Sequence, residues 1–335
     1  MVLLEWLNTG SMTTARYRHT ASVLKNGKVL VTGGMYNSEY LNSTELYDPS
    51  TGNWTSAGNM NSGRQSHTES VLTNGTVLVV GGFNGTNLLN SAELYDPSTE
   101  TWTATSSMNY GRVGHTASIL KNGTVLVTGG RSGNFAGTTE LYDPSTGTWT
   151  QTNSMNFGRR DHTASILANG HVLVTGGLGN SGFLNSAEFY DPTTGSWTPV
   201  GSMNSGRQSH TASVLTNGKV LVTGGLFNGN IVNSAELYDP TTGNWTSAGN
   251  MNSGRQLHTA TVLANEKVLV IGNSNNAELY DPSTGNWTTT DSMNFVRSDH
   301  TASILMNGNV LVAGGLELGA VLNSSELYQS SQIIG

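Results

Sequence analysis

The chain has 335 residues, a net charge of −7, only 11% charged residues and no cysteine, which excludes disulfides, thiol nucleophiles and Cys-ligated zinc. Seven of the ten Arg fall at one recurring position, leaving Arg18, Arg131 and Arg160 and no basic stripe, so nucleic acid is not an expected partner. No segment approaches the apolar length of a membrane span, and MVLLEWLNTG, with no basic n-region and with Glu5 in its apolar run, does not read as a signal peptide.

An R-x-x-H-T step begins at Arg16, Arg64, Arg112, Arg159, Arg207, Arg255 and Arg297, at intervals of 48, 48, 47, 48, 48 and 42 residues. A repeat of this length is read before anything else. In the fifth copy, His210 to Leu215 reads as a short strand rich in small residues. Asn217-Gly218 marks a hairpin turn, because both residues tolerate positive φ. Lys219 to Thr223 is a second strand, ended by Gly224-Gly225 and followed by a variable loop. Glu236 to Tyr238 begins a third strand, stopped at Asp239-Pro240, and Trp245-Thr246 lies on a fourth. Thr, Val, Gly and Asn dominate and no window has a 3.6-residue apolar period, so helix is disfavoured. Four short strands per repeat, with Gly-Gly and a late Trp, make the unit of a β-propeller blade.

Ring closure separates a propeller from an open solenoid. Tyr47, Tyr95, Tyr142, Tyr190, Tyr238, Tyr280 and Tyr328 mark seven third strands. A Trp follows seven residues after each of the first six, and the chain ends after Tyr328 without one. The seventh Trp is Trp6, ahead of the first repeat Arg. Leu3 to Leu7 is therefore expected to complete the last blade, which removes an unpaired edge. The expected fold is all-β: one seven-bladed propeller over 1–335, in four-stranded antiparallel blades. Blade seven is formed by about 297–328 plus 1–8.

Gly-Gly after a β run, Tyr-Asp-Pro, the spaced Trp and the Met ahead of the next Arg resemble kelch repeats over nearly the whole chain. HTASVLKNGKVLVTGG is most similar to the galactose-oxidase-like kelch variant. The resemblance implies a seven-bladed kelch propeller and no chemistry by itself, because one fold hosts many functions.

A residue present in every copy is scaffold before it is catalyst. The innermost strand must be narrow, and His-Thr-Ala-Ser is; the outermost must fill space, and Trp does. A buried Glu in each blade needs a partner, and Arg, His or main-chain N–H groups are expected to supply one. His171 is lone, is expected to be exposed, and is not assigned a metal.

Function is sought where the copies differ. The two residues inside R-x-x-H vary, and strand order puts them at the channel mouth, on the same face as the loop after Gly-Gly. The expected ligand-binding residues are Tyr17, Arg18, Tyr36, Gln65, Phe83, Tyr110, Arg131, Phe157, Arg160, Asp161, Phe183, Gln208, Phe227, Gln256, Phe295 and Asp299. Aromatic rings among polar amides and a few charges suit a recognition surface; the plainer reading is loop drift. In kelch adaptors the matching positions line the ligand pocket, so the resemblance points to the same face. Asp161 and Asp299 are three blades apart, which favours separate polar contacts, such as Asp161 with Arg160, over one shared ion. Blade six is shorter: Gly272 is followed by Asn273, with five residues between Gly272 and Glu278. Its shortened loop should leave an outward notch.

Three function classes compete. The first is a non-catalytic module binding a peptide, protein or glycan, without cofactor or metal and as a monomer. The second is an enzyme; galactose-oxidase-like copper chemistry, as the resemblance implies it, needs a Tyr crosslinked to Cys and fails here, leaving a glutaminyl-cyclase-like site. The third is a structural or recently amplified scaffold, which the near-identity of residues 52–66 and 243–257 supports, since they differ only at Ser66 and Leu257. Eight N-x-S/T sequons lean towards an extracellular setting. The binding reading is favoured.

Overall fold

The computed structural model describes residues 6–329, and every regular element among them is a strand. Seven antiparallel sheets of four strands follow one another, with two-stranded hairpins on several loops. In blade five the strands are Thr211–Val214, Val220–Thr223, Ser234–Asp239 and Asn244–Asn250, paired in that order from the axis outward. The turn between the first two closes with Gly218 N–H donating to Leu215 C=O at 2.9 Å and Leu215 N–H to Lys219 C=O at 2.8 Å. Of Asn217-Gly218 only Gly218 takes a positive φ, +81°. Asn217 instead accepts Lys219 N–H on its side-chain oxygen at 3.1 Å. The pair therefore builds a three-residue loop ending in a left-handed Gly, not a two-residue loop with both φ positive.

The ring closes through the N-terminal segment. Trp6–Asn8 is the outer strand of blade seven, with Trp6 opposite Tyr328 and Asn8 opposite Glu326. Trp245 faces Tyr238 in the same register. The paired rings lie 5.2 Å apart in blade seven and 5.1 Å in blade five. The N-terminal strand completes the last blade, as the spare Trp6 implies; Leu3, Leu4 and Glu5 of the expected strand lie outside the described residues.

The core sits between blades rather than within them. Leu215, Leu221, Ala235 and Met251 of blade five pack on Val268, Val270 and Tyr280 of blade six. A second strand such as Val220–Thr223 is buried at all four positions because a neighbouring blade covers each of its faces. Burying one such Val or Leu contributes roughly 1.5–3 kcal/mol. Each blade also locks onto the next through polar groups. Trp245 Nε1 donates to Gly201 C=O of blade four at 2.6 Å. Gly224 has no room for a side chain: a Cβ there would stand 2.4 Å from Arg255 C=O of blade six.

Each repeat Arg is fully buried and paired with its blade's Glu, at 2.7 to 2.9 Å in all seven blades. In blade five, Arg207 donates to Gly224 C=O, Ser234 C=O and Glu236 Oε1. The other oxygen of Glu236 accepts the main-chain N–H of Asn204, in the segment arriving from blade four. The pair is a clasp between the incoming chain and the blade it enters. The repeat His is a second clasp: His210 Nε2 meets Thr163 Oγ1 of blade four at 3.1 Å. Burial, followed by the nearby Arg207, pulls its imidazole down to about 3. These His are neutral, so the Arg–Glu and His–Thr contacts account for the repeated polar residues as architecture.

Candidate functional site

The first variable residue of R-x-x-H makes an antiparallel bridge with the first residue of its blade's loop. The bridges are Tyr17 with Met35, Gln65 with Phe83, Val113 with Arg131, Arg160 with Leu178, Gln208 with Leu226 and Ser298 with Leu316. Both variable segments therefore share one face, as strand order implied. The second variable residue is left-handed in all seven blades: Arg18, Ser66, Gly114, Asp161, Ser209, Leu257 and Asp299 have φ between +49° and +67°. Their main chains form a closed cycle. Arg18 N–H donates to Asp299 C=O, Asp299 to Leu257, Leu257 to Ser209, Ser209 to Asp161, Asp161 to Gly114, Gly114 to Ser66, and Ser66 back to Arg18. This hoop frames the mouth of the central channel.

Above the hoop lies a cavity of about 430 Å³. Nine of the sixteen expected residues line it: Arg18, Gln65, Phe83, Arg131, Arg160, Asp161, Gln208, Gln256 and Asp299. The other seven do not. Tyr110 and Phe157 precede the repeat Arg and stand exposed outside the cavity, as Tyr36 does on its hairpin. Phe183 and Phe227, on neighbouring hairpins, pack edge-to-face at 5.9 Å. Phe295 lies under the guanidinium of Arg297, and Tyr17 under that of Arg18. Of the expected aromatics only Phe83 lines the mouth, where Leu88, Val113 and Leu257 accompany the polar side chains.

Arg18 Nε pairs with Asp299 Oδ1 at 3.1 Å, and Arg160 Nη1 with Asp161 Oδ2 at 3.5 Å. The Arg160–Asp161 contact is the one the sequence suggested; the Arg18–Asp299 contact crosses from blade one to blade seven. Arg131 has no ion-pair partner among the described residues. Burial raises the carboxyls of Asp161 and Asp299 above their ordinary range, opposed by Arg160 and Arg18 for the first and by Arg18 for the second. Three Arg against two Asp leave the mouth one positive charge in excess, on a chain of net charge −7. Three buried polar atoms here have no hydrogen-bond partner among the described residues: Gln65 Oε1, Gln208 Oε1 and Arg160 Nε. A buried polar atom left unpaired costs about 1–3 kcal/mol.

One site residue was missed in the sequence although the signal was present. Glu69 stands where Ala21, Ala117, Ala164, Ala212, Ala260 and Ala302 stand in the other copies. Its Oε2 accepts from Thr20 Oγ1 at 2.5 Å and Thr32 Oγ1 at 2.8 Å, both in blade one. Burial raises its carboxyl, opposed by those hydroxyls and Ser22. Glu69 lines a second cavity of about 530 Å³ along the channel, with Ser118, Ile119, Ser165 and Ile166. His171 is half-buried rather than exposed, stacked on Phe189 at 4.8 Å with Asp191 at 3.8 Å. No three His, Asp or Glu side chains converge on one point among the described residues.

A closed ring of seven interlocked blades, with a common scaffold below and individual side chains around one mouth, defines the class: a seven-bladed β-propeller of the binding and scaffold type. The KLHDC2/KLHL20/DRC7 Kelch-repeats domain model matches residues 104–273 and 157–315, and the Kelch motif model residues 16–61 and 66–109. The chain belongs to the kelch-repeat family. No curated protein sequence matches it. Among solved structures it is similar to a fungal alcohol oxidase of the AA5 family in complex with copper. That structure has a TM-score of 0.81 and 20% identity, over 98% of this chain and 76% of the other. At that identity the likeness concerns the fold alone.

Proposed function

We propose that the chain is a non-catalytic recognition module whose channel mouth binds a peptide, protein or glycan ligand. The observation that carries this is the convergence of nine side chains that differ from blade to blade, the unpaired Arg131 among them, around one cavity at the channel mouth. A concavity lined by a few convergent polar and charged groups on a rigid scaffold is the form a binding site takes. The excess positive charge and the unpaired Arg131 favour a ligand that brings an anionic or hydrogen-bond-accepting group. Binding rather than catalysis is supported by the repeat His, which are buried, neutral and engaged with Thr. It is supported also by the two mouth Asp, each held by an Arg.

Peptide and glycan arrays probed with the wild-type chain and with Arg131→Ala and Arg160→Ala test this. A ligand whose affinity falls tenfold or more in either variant supports the mouth. An array ligand indifferent to both substitutions, or no ligand on any array, counts against it.

A further inference from the structure

In six blades the main chain ties the loop hairpin down at two acceptors. In blade five, Leu226 N–H donates to Gln208 C=O at 2.8 Å, and Val232 N–H donates to Gly225 C=O at 3.0 Å. The same two bonds recur in blades one, two, three, four and seven. Blade six has no hairpin. Asn273 is followed directly by Ser274, where six residues, 226–231, intervene in blade five. Among the described residues, neither Gln256 C=O nor Asn273 C=O accepts a hydrogen bond. The N–H of Gln256 is capped by the Asn273 side chain at 3.0 Å. The edge thus offers two open acceptors, Gln256 C=O and Asn273 C=O. Arg297 N–H, whose counterparts bond to the preceding loop, also lacks a partner, but Arg297 is fully buried and out of reach.

The walls of this gap are mainly apolar, with Phe227 the one aromatic ring and Asn230 and Glu317 the polar side chains. The blade-five hairpin, Leu226–Phe227 with Asn230–Ile231, stands on one side, and Leu316–Glu317 with Ala320–Val321 of blade seven on the other. Ile231 is 44% exposed and leans over Gly254, on the segment leading into blade six. Leu318, at the blade-seven tip, is fully exposed. Gln256 belongs both to the gap and to the mouth cavity, so the two are continuous.

We propose that the blade-six gap is a docking slot for an extended peptide segment of a partner, which takes the place of the missing hairpin. One peptide N–H donates to Gln256 C=O as Leu226 N–H does to Gln208, and Asn273 C=O is the second open acceptor. The residue paired with Gln256 is apolar, because its counterparts in the other blades are Met35, Phe83, Leu178, Leu226 and Leu316, with Arg131 the exception. Open carbonyls at hairpin spacing between mainly apolar walls match peptide main chain, which supplies N–H donors at that spacing. The slot rests on the reading of the mouth as a binding surface and names the ligand class.

The test uses an acetylated, amidated hexapeptide, Leu-Phe-Asn-Gly-Asn-Ile, which copies residues 226–231, titrated into the wild-type chain by NMR. Three further titrations accompany it: with the peptide N-methylated at its Leu, with its C-terminal amide, the counterpart of Val232 N–H, converted to the N,N-dimethylamide, and with a variant carrying those six residues inserted after Asn273. Surface insertions of this length are well tolerated. Binding is expected for the wild type, with shifts at Gln256, Leu257 and Asn273. It should weaken about tenfold on N-methylation at the residue facing Gln256, which removes one hydrogen bond. The filled variant should not bind. The slot is refuted if the hexapeptide does not bind, or if neither N-methylation weakens it. It is refuted equally if the filled variant binds as the wild type does; N-methylation decides the matter even where that variant fails to fold. An array ligand sensitive to Arg160→Ala but bound equally by the filled variant would refute the slot and leave the mouth reading standing.

Discussion

Lowering the pH from 8 to 5 should unfold the ring cooperatively, because its seven repeat His are held neutral. Burial lowers His19, His67, His115, His162, His210, His258 and His300, four of them to about 3. The unfolded chain binds protons at these positions below about pH 6.5. The folded chain does not, so their contribution is complete above pH 6.5 and is lost as pH falls below it. At pH 5.5 each such His costs on the order of 1 kcal/mol, and the seven together on the order of 10 kcal/mol, comparable with a whole domain's net stability. Asp161, Asp299 and Glu69 act in the opposite direction, since their raised carboxyls protonate more readily in the fold. They are fewer, and their window lies lower, towards the carboxylate range. The assay is a series of urea titrations from pH 8 to pH 5, followed by Trp fluorescence. The urea midpoint should hold from pH 8 to 7 and fall steeply below 6.5, and His210→Gln should flatten that fall by about one proton of seven. A midpoint unchanged down to pH 5 would refute the reasoning, because the His would then titrate alike in both states.

Deleting residues 1–8 should lower the melting temperature by several degrees, since the loss of the Trp6 ring and its strand pairing costs about 3 kcal/mol or more; an unchanged melt would contradict the closure. Arg207→Ala leaves Glu236 buried and unpaired and should cost about 3–5 kcal/mol in urea unfolding, more than Lys219→Ala on the surface. Leu257 holds a left-handed φ of +50° with a branched side chain, so Leu257→Gly should gain up to about 1 kcal/mol in the same titration. Glu69→Ala restores the residue of the other six copies. It should stabilise the chain at pH 7, where the buried carboxylate is disfavoured, with the advantage shrinking as pH falls towards 4; a loss at pH 7 larger than at pH 4 would overturn that account.

The architecture was readable because each rule of blade packing is written seven times. The spare Trp6 and the missing Trp after Tyr328 disclosed the closure, and the Arg–Glu clasp followed from the cost of a buried carboxylate. What stayed hidden depends on dihedrals and on direction. Gly114, Asp161 and Asp299 tolerate left-handed backbone, but Leu257 and Arg18 at the same position mask the pattern. A place in a variable loop does not fix which way an aromatic ring points. Phe183 and Phe227 are drawn together by their own apolar faces, and Tyr110 and Phe157 fall where the chain has not yet reached the mouth. Glu69 is legible as the single departure from six Ala, but it lies in the constant part of the repeat, outside the segments that vary in every copy. The blade-six gap was legible as a length, but its open carbonyls needed the main-chain pairing of the other six blades for comparison.

The cycle of main-chain bonds around the mouth has a further consequence. None of its links uses a side chain, so the aperture is set by backbone alone and is indifferent to what Arg18, Ser66, Asp161 or Leu257 become, provided each tolerates the left-handed turn. Identity and calibre are thereby uncoupled. Seven positions can be rewritten one at a time to change what the rim attracts, while the diameter through which it is reached stays constant. The structure is in this sense a socket of fixed bore with exchangeable contacts.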